Sequence, residues 1–537
     1  MRVAALALLA AAGLVGCGAT AAPNKTPAAH TFIDLVGELP TNLDETGTPD
    51  TASTELLPNW SSELVRPKGA APGPNAVLPP DDAVVPYLAT SWQRDANGSY
   101  VFRLRRGVRG VSGDPFTAAD GKWSLERAIA RSPVAPFLLA LGHIDTRNPV
   151  TILDSHRVRI NVSAPSPFTL SVLASYDVAI YDSALYRSHA TPGDPWAQVW
   201  GSRHSASFGA YWVAWFWQRH VIELDANPGF WHEPYYARVL IRQVASPATR
   251  VAEVLAGTAT HTSDLAWGDF GTAVNSPAAD DVSAGILQTG PAVVAWHFDV
   301  ASGPLANPLV RQAINLGVNR IEITNAMDAG FDAPSALTIP AAFGQAQPPT
   351  FDPVQARSLL RAAGYPQGVT VDIYTNEGQA GGEAFTLLGF LREEMLQIGV
   401  ILRIRVVDDT DQLLLLEQLH QVESSIDVVT PLLGGAGFLL EQNANTALDP
   451  VSPAADQRYA NPALQTLLDQ LRSSLPGPPA EALIHQAAAI LDTDVPTVTF
   501  LAIPIQNVTR ANVTGYAAYT QLVTYYEHLH PVSASRG

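Results

Sequence analysis

Two periods of apolar residues interleave along this chain. In "SYVFRLRRGV", Tyr100, Phe102 and Leu104 alternate with Val101, Arg103 and Arg105, the period of two of a strand with one wet face. "HRVRINVS" repeats it with Val158, Ile160 and Val162. Further on, three helix starts share one device, an Asn or Asp N-cap followed by proline: Asn307-Pro308, Asp352-Pro353 and Asn461-Pro462. Gly364 suits the left-handed position that ends the second of these helices. The helices alternate with strand-like runs "GVTVDIYT" and "VILRIRVV", so the pattern predicts a mixed α/β protein with a second α/β unit between roughly Pro291 and Pro496. The densest aromatic stretch, "FGAYWVAWFWQRHVIELDANPGFW", reads as a hairpin. Strict alternation puts Tyr211, Val213, Trp215 and Trp217 on one face and Trp212, Ala214 and Phe216 on the other, with Gln218 and Arg219 in the turn.

At 537 residues the chain exceeds the size at which single cores stop growing, about 250 to 300 residues, so more than one domain is expected. A formal charge of −18 argues against nucleic acid, whose phosphates would be repelled. The N-terminus begins with Arg2 and an apolar run, "VAALALLAAAGLVG", too short for a stable span. Leu14-Val15-Gly16-Cys17 then resembles the lipobox of bacterial lipoproteins, which implies that residues 1–17 hold a signal peptide and that Cys17 is acylated. Because Cys17 is the only cysteine, an internal disulfide and a cysteine-built metal site are both ruled out. Residues 18–30 are small, Pro-containing and unpatterned, as in a flexible tether. No later run reaches 18 uninterrupted apolar residues, so the only membrane attachment expected is the lipid.

Catalytic patterns are absent: the chain has no HExxH, GxSxG or P-loop, and no GxGxxG leading into a helix. His528 and His530 in "HLH" read as surface histidines, and "HTSD" at 261–264 is no triad by adjacency alone, since triad partners meet through the fold. Neither an enzymatic activity nor a cofactor or metal is expected.

The segment "YLATSWQRDANGSYVFRLRRGVRGVSGDPFTAADGKWSLERAI" resembles the signature region of the family 5 extracytoplasmic solute-binding proteins, the dipeptide, oligopeptide and nickel receptors of ABC importers. Leu88, Ser91, Trp92, Phe102, Leu104, Arg105, Gly107, Val108, Gly113, Pro115, Thr117, Ala118, Asp120, Ser124 and Arg127 follow its pattern. "NPLVRQAINLGVNR", "FDPVQARSLLRAAGY" and "YANPALQTLLDQLR" resemble later family blocks in the family's order. The resemblance implies an α/β, two-lobed periplasmic-binding-protein (type II, Venus-flytrap) fold with an extra subdomain in the first lobe. On this basis 31–290 form lobe I with that subdomain, 291–500 form lobe II, and 501–537 complete lobe I. It further implies a monomeric receptor that captures a peptide or other elongated, amphiphilic solute and delivers it to ABC permease and ATPase subunits.

Candidate ligand contacts, from segments that face the interlobe cleft in the family, are Asn42, Trp267, Trp296, His297 and Thr430. Each also has a structural reading: Asn42 as a turn cap, Trp296 as core, His297 as a satisfied internal histidine. Arg311 matches a family position on a helix and reads as one half of a structural salt bridge. The region "SSIDVVTPLLGGAGFLLEQ" lacks the aspartate with which many peptide receptors of the family pair the ligand's ammonium group, leaving Asp427 and Glu441 as substitutes. A different function stays open: a lipoprotein of the same fold that scaffolds or regulates cell-envelope glycolipid synthesis.

Overall fold

The computed structural model describes residues 31–44, 51–73, 78–80, 83–95, 98–263, 265, 267–288, 293–328, 350–376, 382–407, 410–429, 433, 435–444, 457–502, 505–519 and 523–532. Within these, a seven-stranded sheet runs in the order Val282–Gln288, Ile505–Arg510, His261–Ser263, Thr31–Val36, Arg238–Gln243, Val221–Ala226, Tyr211–Trp217. Thr31–Val36 is central and parallel to both neighbours. Its Leu35 face packs on helices Pro247–Leu255 and Trp267–Val274 through Val251, Val254 and Phe270. The opposite face, with Phe32 and Val36, joins the main core around Trp60, Phe208 and Phe230.

A five-stranded sheet has the order Val400–Val407, Val369–Asn376, Ser424–Val429, Val293–Phe298, Thr497–Ala502. Its core is apolar, joining Phe298, Val371, Ile373 and Val400 to Leu388, Leu391 and Met395 of helix Gly382–Ile398. The signature segment supplies Ala89–Arg94 and Tyr100–Leu104 to a four-stranded sheet that Arg157–Ile160 and Val150–Asp154 complete. This is inserted between two strands of the seven-stranded sheet. Tyr100, Phe102 and Leu104 are buried while Arg103 is exposed, as the alternation requires.

All three proline-led helices form with their caps. The Asn307 side chain accepts from the Leu309 amide, Asp352 from Val354 and Gln355, and Asn461 from Ala463 and Leu464. Gly364, at φ +93°, follows the second helix in the left-handed region.

The aromatic hairpin departs from strict alternation. A β-bulge between Val213 and Trp215 shifts the register, so Trp212 faces Asp225, Trp215 faces Glu223 and Trp217 faces Val221. Trp212, Trp215 and Trp217 therefore share the outer face, and Phe216 turns inward to the core with Tyr211 and Val213. One inserted residue exchanges faces for everything beyond it, which a count of alternating positions cannot anticipate.

Candidate functional site

The chain passes from the seven-stranded to the five-stranded sheet between Gln288 and Val293, and returns between Ala502 and Ile505. The strands that flank the two crossings are paired on both sides, Val282–Gln288 with Ile505–Arg510 and Val293–Phe298 with Thr497–Ala502. Strand polarity decides what lies next to them. Thr31–Val36 and His261–Ser263 are parallel and Ser263 is opposite Asn507, so their carboxyl ends point to the crossings. In the five-stranded sheet Val369–Asn376, Val400–Val407 and Ser424–Val429 are likewise parallel, and Val429 is opposite Val293 at the same junction. Loops at carboxyl ends of parallel strands are where open α/β sheets bind ligands, because the side chains there converge without filling the core.

Asn42 lies in one such loop, after Thr31–Val36. Its Oδ1 accepts from the Asp44 amide at 2.9 Å, a turn cap, and the residue is half-buried. Three neighbours brace the loop. Asp44 is held by the buried Arg127, whose Nη1 lies 3.0 Å from Oδ1 and whose Nε donates to the Trp196 carbonyl. The Leu43 amide donates to the Ser202 carbonyl at 3.0 Å, and Gln218 Nε2 to the Thr41 carbonyl at 3.3 Å. A buried, bidentate Arg–carboxylate pair fixes geometry as well as charge, so the loop is presented from a rigid support. Arg127 and Asp44 are 83 positions apart in sequence, a pairing only the fold makes.

Trp267 opens the helix Trp267–Val274 just beyond the carboxyl end of His261–Ser263. Thr430 lies outside the described residues, one position past Val429. Cys17 also lies outside them.

Trp296 and His297 are placed differently. They pair with Ile426 and Ser425, near the end of the strand away from the crossings. Trp296 is completely buried against Phe298, with ring centroids 5.1 Å apart, and is therefore part of the lobe core in this conformation. His297 is buried, and its Nδ1 lies 2.6 Å from Gln457 Nε2 and 3.3 Å from Thr497 Oγ1. Burial lowers its pKa to about 4, so the ring is neutral at physiological pH.

The carboxylates considered for a ligand ammonium group also separate. Glu441 is fully buried, with Arg472 Nη1 3.7 Å from its Oε2, and is committed to the interior. The side chain of Asp427 lies outside the described residues. The salt bridge expected of Arg311 is not found among the described residues, because its guanidinium is taken up by backbone carbonyls. Its guanidinium donates to the carbonyls of Asp494, Val495, Leu305 and Ala306, clamping the C-terminal end of helix Pro478–Asp494. Val495, a β-branched residue at φ +48°, is held in the left-handed region by that clamp.

A polar row missed by sequence reasoning runs inward from the junction. Ser263 and Asn507 stand at its outer end, then His261 opposite Thr509, then Asp34. His261 Nδ1 is 2.8 Å from Asp34 Oδ1, the Tyr526 hydroxyl donates to Asp34 Oδ2 at 2.6 Å, and the Tyr516 ring stacks on His261 at 5.5 Å. The signal was the lone aspartate in "TFIDLV", since a buried charge inside an apolar strand needs partners. Asp–His pairing of this kind serves catalysis when a hydroxyl meets the other ring nitrogen. His261 Nε2 has no hydrogen-bond partner among the described residues, and Asp264 of "HTSD" lies outside them. At the "HLH" segment, His528 meets Tyr519 and Glu527, and no metal-binding cluster occurs among the described residues.

Two α/β lobes, joined by adjacent crossings with both sets of carboxyl ends turned to the junction, define a type II periplasmic binding protein. The ABC transporter-associated binding protein DppA of Helicobacter pylori, solved with the peptide STSA, superposes with a TM-score of 0.78 at 20% identity, over 93% of this chain and 98% of that one. The sequence profile described as "Bacterial extracellular solute-binding proteins, family 5 Middle" matches residues 83–431, and the chain belongs to that family. Among curated relatives, it is 24% identical to the glutathione-binding protein GsiB of Escherichia coli O1:K1 over 347 residues, 63% of this chain. That match spans 64% of the Escherichia coli protein, just under two thirds of its length. GsiB of Salmonella choleraesuis is 25% identical over 421 residues, 77% of this chain and 76% of that one.

Proposed function

We propose that this protein is a lipid-anchored extracytoplasmic receptor that captures a peptide or other elongated, amphiphilic solute between its lobes and delivers it to an ABC permease and its ATPase. The observation that carries this reading is that strand carboxyl ends of both sheets point to the junction between them. Such a junction lets the lobes close over a solute while the strands at the crossings act as the hinge. Family membership supports it, as do the peptide bound to the Helicobacter pylori protein and the name of the glutathione-binding relatives. Cys17 would carry the lipid and residues 18–30 the tether. Asn42, Trp267 and Thr430 are the proposed contacts, joined by Ser263 and Asn507 at the head of the polar row. His297, neutral and at the far end of its strand, would support the second lobe. With Glu441 committed to Arg472, a solute with no ammonium group, or one that keeps it in water, fits better than a fully engulfed peptide N-terminus.

Native mass spectrometry of the purified chain tests this. A small molecule should co-purify, and adding it back to the stripped protein should raise the melting temperature in proportion to the logarithm of its concentration. Recovery of no solute, together with no thermal shift across peptide, haem and sugar libraries, would remove the receptor reading.

A further inference from the structure

The outer face of the aromatic hairpin is not accounted for by solute capture. Trp215 and Trp217 are 61% and 57% exposed, on a strand that forms the edge of the seven-stranded sheet. Core packing cannot explain them, because the bulge turns Phe216 rather than either tryptophan toward the interior. Trp217 lies flat on His220, with centroids 4.0 Å apart. Beside the strand edge, where Ser205 Oγ accepts from the Val213 amide, Trp200 is sandwiched between His189 at 4.3 Å and His204 at 4.8 Å. Both groups flank the braced loop, since Gln218 bonds Thr41 and Ser202 bonds Leu43. Both therefore lie beside the loop that follows the carboxyl end of Thr31–Val36, next to the junction.

Its charge runs against that of the whole protein. Arg203 and Arg219 are exposed and form no ion pair among the described residues. The carboxylates opposite the tryptophans, Asp225 and Glu223, are both engaged by Arg238 at 3.0 and 2.8 Å, and Asp194, beside Trp200, is taken up by the Gln198 and Val199 amides. An arginine- and tryptophan-bearing patch on a chain of formal charge −18 matches an anionic surface with an apolar layer beneath it. Tryptophan rings suit that boundary, with an apolar body and a polar N–H.

The position of the chain start points to the same occupant. Thr31 is opposite Arg238, Arg238 opposite Asp225, and Asp225 opposite Trp212. By the same pairing Trp215 lies level with Ile33 and Trp217 with Leu35, so three strand spacings and two or four residues along the strand put them about 16 and 20 Å from the start of the described chain. Residues 18–30, as a flexible chain, span about 20 Å on average. An anchor at Cys17 therefore holds this face within reach of the bilayer.

We propose that Trp215 and Trp217, with Trp200, Arg203 and Arg219, form a docking face for the anionic headgroup layer of the membrane, which turns the solute junction toward the bilayer. This rests on the lipid-anchor part of the functional reading and not on the identity of any solute.

The test uses the full acylated chain in vesicles whose lipids carry brominated acyl chains, with the acyl group on Cys17 checked by intact mass. In vesicles containing phosphatidylglycerol, part of the tryptophan emission should be quenched. W215S/W217S should abolish that part, and R203E/R219E should reduce it at least about twofold, while pure phosphatidylcholine should give little quenching. Unchanged melting temperatures and unchanged solute binding in detergent keep both variants interpretable. Equal quenching of wild type and W215S/W217S would overturn the proposal. So would protection of these tryptophans from iodide only when a detergent-purified permease is added, which would assign the face to a protein. If no acyl group is found on Cys17, the same chain mixed with the vesicles should still be quenched, so loss of the anchor and loss of the docking face are read separately.

Discussion

The two sheets are held together by different means. In the seven-stranded sheet and its surroundings, buried polar groups join distant parts of the chain. Arg66 meets Glu63 at 3.2 Å and Glu527 at 2.6 Å, Arg127 meets Asp44, and Asp34 gathers His261 and Tyr526. Around the five-stranded sheet the core shared with helix Gly382–Ile398 is apolar, its buried polar pairs, such as Asp299 with Arg458, stay within the lobe, and Arg311 and Arg320 serve backbone carbonyls, Arg320 through that of Thr499 at 2.8 Å. Chain path accounts for the difference. The first sheet collects strands from Thr31 to Arg510 and is sealed by a tail that returns Tyr526 and Glu527 to the N-terminal segments. Apolar burial is non-directional, so it cannot by itself say which returning segment belongs where; charged and hydrogen-bonded groups can. The second sheet is built within residues 293–502 and has less to discriminate.

Breaking the tail's attachment should have the largest effect. Arg66→Met leaves Glu63 and Glu527 buried without their cation, and should destabilise the first lobe by about 3–5 kcal/mol. Calorimetry should show that lobe's transition move alone, and limited proteolysis should release the C-terminal segment. A joint shift of both lobes would mean that the staples serve the whole molecule rather than one sheet.

In the second lobe, Arg311→Met should cost about 2–3 kcal/mol, because buried carbonyls at Leu305, Asp494 and Val495 lose their donors. Hydrogen exchange should rise first near Val495, where the left-handed backbone loses its clamp. Uniform loss of protection across the five-stranded sheet would contradict a local role.

The smallest effect depends on pH. Burial raises the Glu394 carboxyl to about 7, against the Asn319 amide that donates to it. Because the folded state holds this proton more tightly than the unfolded chain, the stability it contributes is complete below about pH 4.5 and is lost as pH rises through about 7. Glu394→Gln should therefore stabilise the second lobe by on the order of 1–2 kcal/mol at pH 8 and leave it unchanged at pH 4. A gain that is the same at both values would rule out ionisation as the cause.

Legibility from sequence varied with the range of the interaction. The N-caps at Asn307, Asp352 and Asn461 were readable because each is settled within four residues. The strand at Tyr100–Leu104 was readable because one buried face imposes its period. The hairpin faces were misread past Val213, since a bulge adds one residue to one strand and leaves no mark in composition. At the candidate site, the family resemblance singled out Asn42 and Trp267, which follow the carboxyl ends of Thr31–Val36 and His261–Ser263. Trp296 and His297 share their strand with the crossing but sit three or four residues into it, a distance that only register reveals.

By itself, the sequence determined what short-range physics decides: the alternating α/β elements, their caps, the absence of disulfides, the acidic surface and the family pattern. Tertiary structure decided which polar groups meet. Asp34 and His261 are 227 positions apart, Arg66 and Glu527 are 461, and no local pattern links either pair. It also decided that Trp215 and Trp217 face outward while Trp296 is enclosed, because exposure depends on what packs against a strand and not on the strand's own residues.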